Sequence, residues 1–600
     1  MSSIDFTIVG IYIVGLVIVG LYFQRKASKG INSFFLGNRQ IPWWVLGASG
    51  MASNLDIAGT MIIVAFIYAI GTRGFYIEIR GGVTLIMAFL MIFMGKWNRR
   101  AGVMTLAEWM EFRFGKGKQG NIARFIMAIA MILITIAMIT YFAKGAGKFV
   151  GEFLGISPDL AAFLMIVIAM IYTVSSGLYG VVYTDLFQGI LIAFTIAYVC
   201  IFVFASGRFN IPETFSVSVP LLDGGFQEIK TTAQNWTNIM PKWRMNLPGE
   251  YAKYNLFGIA VLFYVFKVAI EGSGGTGGYM IQRYFAAKSD KEAGLLSLFW
   301  TSLLSFRWPF IASIAVMGIV YGVNHTVIAD PESVLPVVIN TYIPMGIKGL
   351  LVAGLIAAAM STFDSTVNAG AAYWVKDIYQ RHIKPDASEK SLMVMSRASS
   401  IVIVILGLLF SYTIRNINEI WGWITMSIGA GLMIPQLVRW YWWRINGYGF
   451  AIGTFVGMFA GILQKLLFPN IPEYTTFIIA SGSSLIATIL GTLLTSPTDE
   501  KVLLNFYKVT RPFGVWGPIR EKFSQRFVSK INKENRRDIF SIFFAVPWQV
   551  CLFLMWMMLM MKRWDSFFIL LLVTIVLSII LYFSWFRYLS TEVKADGNGD

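Results

Sequence analysis

A carboxylate, two hydroxyls and an amide recur at helical spacing inside one apolar stretch: Ser361, Asp364, Ser365 and Asn368, flanked by Thr362 and Thr366, lie between Gly346 and Tyr379. At 3.6 residues per turn, positions i, i+3, i+4 and i+7 share a helix face, so these groups line one side of a membrane-length segment. An ionised aspartate facing hydrocarbon costs about 3 kcal/mol on insertion scales. The stripe therefore faces water, a cation or a polar cavity, and the chemistry its oxygens offer is cation binding.

A second stripe follows the same logic, with Ser49, Ser53, Asp56 and Thr60 spaced i, i+4, i+7 and i+11 and Asn54 beside them. Helical hydroxyls are commonly satisfied by the backbone, so Asp56 is the member that needs a partner. Asp185, within Tyr183-Thr-Asp-Leu-Phe-Gln188, reads either as a buried ligand or as an exposed helix cap near the cytoplasmic surface. Glu78 and Arg80, two residues apart, point to different helix faces and are not expected to neutralise each other. Lys144, Lys267 and Arg307 are expected to snorkel to an interface. Trp440, Trp442 and Trp443 read as an interfacial belt, whereas Trp421 and Trp423 at the outer end of the same span are candidates for facing a solute.

The elements that position these residues are membrane spans. Of 600 residues 56% are hydrophobic and 14% charged, against about 25% charged in a soluble domain. Apolar runs of about 20 residues mark about fifteen spans: 4–23, 42–70, 75–95, 121–143, 155–178, 182–205, 256–280, 293–322, 345–375, 396–414, 419–443, 448–468, 472–495, 538–561 and 566–588. The first carries an acid, Asp5, and neither a basic leader nor a small-residue cleavage site, so it is expected to remain as a span.

A net charge of +17 would suggest nucleic acid for a soluble protein, but here the basic residues sit in alternate loops. Loop 24–41 holds Arg25, Lys26, Lys29 and Arg39 with no acid, loop 96–120 six basic residues against two acids, and loop 496–537 ten against four. The positive-inside rule makes those loops cytoplasmic, which places the N-terminus outside, the C-terminus inside and the long loop 206–255 outside. The two cysteines, Cys200 and Cys551, lie in apolar spans and the two histidines, His325 and His382, in loops, so disulfide, zinc and Cys/His chemistry are not expected.

Two spans are interrupted by glycine at mid-membrane depth, Gly47 to Gly59 and the run Glu271-Gly-Ser-Gly-Gly-Thr-Gly-Gly278. Such glycines permit unwinding, and freed carbonyls then bind a cation while half-helix ends face a solute. The interrupted spans lie five apart, so the second half is inverted relative to the first, as in an inverted repeat. The expected organisation is an N-terminal span and loop (1–40), a first repeat half (41–205), an extracellular loop (206–255), a second half (256–445), two accessory spans (446–495), a cytoplasmic linker (496–537) and a terminal hairpin with a polar tail (538–600).

Phe35-Leu-Gly-Asn-Arg with Ile41-Pro-Trp-Trp, Ala52-Ser-Asn-Leu, Gly177-Leu-Tyr-Gly-Val-Val-Tyr-Thr-Asp185-Leu-Phe-Gln, Gln282-Arg-Tyr-Phe-Ala-Ala-Lys288, Ala357-Ala-Ala-Met-Ser-Thr362 with Asn368, and Asp377-Ile-Tyr resemble the solute:sodium symporter family, in order over residues 5–500. The resemblance implies an all-α polytopic membrane protein with the leucine-transporter-like fold of two inverted five-helix repeats plus extra helices, sodium-driven uptake, and alternating access around a midplane site. By similarity the common sodium site maps onto backbone oxygens of Ala52, Leu55 and Ala358 and the hydroxyls of Ser361 and Thr362. Some relatives hold a further sodium next to the aspartate matching Asp185, and here Asp364 stands where those relatives have threonine or alanine. Two such carboxylates repel unless a cation or a proton lies between them, so a second cation site at Asp185 and Asp364 is expected, with a protonated Asp364 as the alternative.

For the solute, the resemblance puts Glu78 where sugar-transporting relatives carry a glutamate, while Asp56 and Glu271 are additional acids; with Ser273 and Trp423 these are the candidate solute residues. The acids offer acceptors to a sugar or polyol, or a partner to an amine or amino acid. A sensor, a channel and an enzyme fit less well: the 496–537 segment is too small for an output domain, and no nucleophile and base constellation is present. The expected setting is the plasma (inner) membrane, with sodium, a small solute and lipid as partners, no nucleic acid, and a functional monomer.

Overall fold

The computed structural model describes residues 1–27, 39, 41–275, 278–468 and 471–589, with the backbone alone for 17, 20–27, 172, 174–180, 278 and 279. Among the described residues, twelve helices are long and apolar enough to cross a membrane, and Ser3–Leu16 and Pro158–Ile171 are shorter apolar helices. The difference from about fifteen spans has local causes. The run expected at 42–70 is two helices, Trp43–Asn54 and Ile57–Ile70. That at 75–95 is a chain of 3₁₀ turns and short helices interrupted by a π segment, Leu90–Met94. The runs 155–178 and 182–205 share one backbone helix, Pro158–Ala205, with no loop between them. The Phe35-Leu-Gly-Asn motif, Thr276-Gly277 of the glycine run and the tail from 590 lie outside the described residues, as do the side chains of Gly177 to Gly180.

The first break sits where glycine and small residues give way to a capping acid. Helix Trp43–Asn54 stops at Leu55 (φ −90°, ψ 43°), and Asp56 caps the next helix by accepting the Gly59 N–H at 2.5 Å. Small residues let the first half lie flush on helix Asp290–Ser305: a Cβ at Gly50 would stand 2.4 Å from the Trp300 ring. Gly50→Ala is therefore expected to destabilise the protein by about 1 to 3 kcal/mol, read as a lower melting temperature in detergent. Gly482→Ala, whose Cβ meets nothing within 4 Å, leaves the melting temperature unchanged or raises it.

The second break mirrors the first: helix Phe257–Gly274 ends at Gly275, whose φ of +83° suits glycine, and helix Gly278–Ala286 follows. The polar stripe lies on helix Ile347–Ala372, which continues as a π segment, Tyr373–Ile383.

The all-α expectation has one exception. Loop 206–255 contains an antiparallel hairpin, Thr214–Pro220 with Phe226–Thr232, in a register that sets Val217 opposite Ile229. It leads into Trp236, whose Nε1 donates to the Tyr68 carbonyl at 3.0 Å, while Arg73 donates to Asn235, so the loop fastens the far end of helix Ile57–Ile70.

Segment 496–537 is folded. Helix Glu500–Thr510 is followed by a parallel bridge between Val515 and Trp442, and Trp516 Nε1 donates to the Trp440 carbonyl at 2.9 Å. Arg113 lies under Phe506 and Trp516, its Nε on the Arg439 carbonyl at 2.8 Å. The terminal hairpin starts earlier than 538, with helix Gln525–Met560, which ties to the third span through Lys96–Glu534 (2.9 Å) and Lys96–Asp538 (2.6 Å).

Candidate cation site and solute cavity

Helix Ile347–Ala372 is almost wholly buried, so its stripe faces protein. Thr362 Oγ1 donates to the Ser53 carbonyl at 2.8 Å and to the Ala358 carbonyl at 3.2 Å, joining this helix to the first break. Ser53 Oγ lies 3.2 Å from Ser361 Oγ and 2.9 Å from Ser365 Oγ. Ala52, Leu55, Ala358, Ser361 and Thr362 are all buried around this junction, with the Leu55 N–H on the Ala52 carbonyl at 3.3 Å. Two helix segments thus bring hydroxyl and carbonyl oxygens together at an interrupted helix end, where carbonyls lack helical partners.

Asp185 is not an exposed cap. It is fully buried, in the interior of helix Pro158–Ala205, and accepts from Ser361 at 2.5 Å and from Ser49. The cation beside it belongs to the protein: Arg283, also fully buried, places Nη2 3.2 Å from Asp185 Oδ2, 2.7 Å from Ser49 Oγ, 2.9 Å from Ser53 Oγ and 3.0 Å from Ser365 Oγ. Asp364, one turn from Ser361, is fully buried too. Sequence reasoning met Arg283 only inside a motif; an arginine following a glycine run in an apolar span was the available signal, since a buried charge requires a partner.

Beside this cluster lies a cavity of about 240 Å³, lined by both breaks (Asn54; Glu271, Gly274, Gly275), by Met131, Thr135 and Met138 of helix Lys118–Leu154, by Thr366, and by Trp421, Thr425 and Gln436. Cavity and cation cluster adjoin through neighbouring residues, Asn54 next to Ser53 and Thr366 next to Ser365. Gln436 is 6% exposed and its Oε1 has no hydrogen-bond partner among the described residues; Thr366 Oγ1 is in the same position. Buried polar atoms are rarely left so, and a solute hydroxyl or water would satisfy them. Neither residue was singled out for the solute from sequence.

Of the sequence candidates for the solute, Glu271 lines the cavity, paired to Lys267 at 2.7 Å. Asp56, Glu78, Ser273 and Trp423 are not on its wall. Asp56 caps its helix and accepts from Tyr141 at 2.9 Å. The Ser273 carbonyl accepts from Tyr441 at 2.8 Å, and the Trp423 ring lies against Phe410. Glu78 and Arg80 do pair, at 3.1 Å, because the segment turns as a 3₁₀ helix and the guanidinium folds back. Arg80 also meets Glu473 at 2.6 Å, Asn418 at 2.6 Å and Tyr254 at 3.0 Å. Lys267 and Arg307 do not snorkel: both are buried, Lys267 on the Arg80 carbonyl and Arg307 on Asn54 and Thr60.

Comparison with known proteins bears on what this arrangement serves. The chain is 26% identical over 527 residues to a sodium/glucose cotransporter of Vibrio parahaemolyticus (83% of this chain, 92% of that one) and 25% identical over 521 residues to a sodium/sialic acid symporter of Proteus mirabilis (83% and 96%). A solved structure of a Na+-coupled sialic acid symporter in a substrate-bound outward-open state shares its fold, with a TM-score of 0.64 at 22% identity over 83% of this chain and 99% of that one. With hydroxyl and carbonyl oxygens gathered at a broken helix beside a cavity, and with the model of the sodium:solute symporter family matching residues 34–461, this chain belongs to that family, whose co-transported cation is sodium.

Proposed function

We propose that the protein is a sodium-coupled symporter importing a small, uncharged polar solute, a sugar or polyol, by alternating access between two inverted five-helix repeats, with its N-terminus outside and its C-terminus in the cytoplasm. The carrying observation is the cavity wall. Gln436, Asn54, Thr135 and Thr366 offer neutral hydrogen-bonding groups, Trp421 and the methionines offer an apolar face, and the sole charged side chain among the described lining residues, Glu271, is matched by Lys267.

A wall with no basic group argues against an anionic solute, and the Lys267 pairing weakens the case for an amine, because an amine would have to displace that ammonium. The volume, below the about 300 Å³ where typical ligand pockets begin, supports a solute of monosaccharide size. The relatives named for glucose and sialic acid are consistent with sugars as a class. In this reading sodium binds at Ala52, Leu55, Ala358, Ser361 and Thr362, while at the second-cation position expected between Asp185 and Asp364 the Arg283 guanidinium supplies the positive charge. Ion and solute each favour the loaded state, so the sodium gradient and membrane potential drive uptake, at about 2.3 kcal/mol per charge per 100 mV.

Thermal unfolding of the detergent-purified protein tests this. Sodium at 100 times its Kd is expected to stabilise by about 2.7 kcal/mol where potassium does not. Ser361→Ala/Thr362→Ala removes that rise, and neutral monosaccharides or polyols add a further rise only with sodium present. A sodium-independent rise with an amine or a carboxylate overturns the solute class; no sodium-specific rise at any concentration overturns the coupling.

A further inference from the structure

Asn368, the fourth position of the polar stripe, carries it one turn beyond the cation cluster, and the cluster does not use it. It is 4% exposed, and neither Oδ1 nor Nδ2 has a hydrogen-bond partner among the described residues. Buried amide groups are rarely left unmatched, because desolvation without a hydrogen bond is costly. Because it stands at i+4 from Asp364 and i+3 from Ser365 on a continuous helix, its Cβ lies about 5 to 6 Å from theirs. One residue on, Ala369 borders a void of about 10 Å³ shared with Thr105, Gln282, Ala372 and Tyr373, close to the least volume that admits one water. Past the void, Thr105 donates to Asp377 at 2.8 Å, and Asp377 is held by Arg124 at 2.7 Å.

These positions form a line along one helix face: cation cluster, unmatched amide, water-sized void, then the buried pair at the end of the helix that the charge pattern places in the cytoplasm. We propose that Asn368 Oδ1 is a transient ligand for a partly hydrated sodium ion moving between the Asp185–Ser361 cluster and the inner face. The inference rests on the sodium reading above. An amide carbonyl suits a stepping position, since it supplies a hard oxygen without the charge that would trap the ion. Arg283, on Ser365 at 3.0 Å, adds repulsion that keeps residence short. A purely structural asparagine would bond a neighbour, and among the described residues this one does not.

The test compares equilibrium binding with movement in the full-length chain, using Asn368→Ala and Asn368→Asp. Sodium-dependent melting reports affinity, and exchange of radioactive sodium across proteoliposomes reports passage. For Asn368→Ala the expected result is an apparent sodium Kd close to wild type with exchange slowed about tenfold, the worth of one oxygen ligand. Asn368→Asp is expected to tighten the apparent Kd by about tenfold and also slow exchange, because the ion lingers. Wild-type exchange in Asn368→Ala overturns the proposal, as does a loss of binding that parallels the loss of exchange. Should the alanine variant fail to fold, unchanged affinity and exchange in Asn368→Asp overturn it equally. Failure of the sodium reading itself is distinct: the wild type then shows neither a sodium-dependent rise nor exchange.

Discussion

Replacing Asp185 with asparagine is expected to abolish sodium-dependent uptake in proteoliposomes and to destabilise the protein by about 3 to 5 kcal/mol, the usual effect of stripping one partner from a buried ion pair. Arg283 and Asp185 are both fully buried, and among the described residues the guanidinium Nη2 also meets the hydroxyls of Ser49, Ser53 and Ser365 and, at 3.5 Å, the Ser49 carbonyl. Neutral oxygens such as these ease a charge but do not cancel it as a carboxylate does. Adding Arg283→Gln to Asp185→Asn is expected to restore most of the melting temperature, since the uncompensated charge goes with it, while uptake stays absent because the carboxylate that accepts from Ser361 is still missing. A coupling free energy of at least about 1.5 kcal/mol between the two substitutions checks the pair directly. Strictly additive melting data would show that the two groups do not depend on each other.

Arg80→Leu, between the cavity-lining residues Ile79 and Gly81, is expected to have a comparable effect. It leaves Glu78, 1% exposed, and Glu473 without their shared guanidinium and strips Asn418 Oδ1 of its donor, so a loss of about 3 to 5 kcal/mol is expected. Glu473→Gln is milder, because Arg80 keeps Glu78 and the glutamine still accepts from Tyr264, now 3.0 Å from the glutamate. The ordering of melting temperatures, wild type above Glu473→Gln above Arg80→Leu, is the check. Equal values for Arg80→Leu and wild type would mean the cluster contributes nothing. Glu473 begins the second accessory helix, so this cluster makes an accessory span supply the counterion of a core one.

What the sequence could show was what lies within one helix. The stripe from Ser361 to Asn368 is readable because its spacing is local and its cost in hydrocarbon is general, and the two breaks are readable because glycine and a capping aspartate leave local marks. Partners across the fold leave none. Asp185 and Arg283 are 98 residues apart and Arg80 and Glu473 are 393 apart; spacing rules say nothing about either pair. The separation of Glu78 from Arg80 misled for a different reason, since the α-helical period was applied to a 3₁₀ turn. Gln436 was hidden by company: a lone amide in an apolar helix has no signature until the cavity beside it is seen.

The folded segment after residue 496 alters how the protein can be shortened. The family match ends at residue 461, which invites a cut soon after the last accessory span at Leu493. Such a cut would unroof Trp109 and Trp440, whose rings lie 5.5 Å and 5.8 Å from Phe506, and would remove the Val515 backbone that pairs with Tyr441 and Trp443. Gln436 stands on that same helix, Gly429–Tyr441, a little over one turn from its end. A trimmed chain would thus carry a sticky aromatic scar at its inner face and a loosened cavity wall, and its failure to transport would say little about whether the core alone knows how.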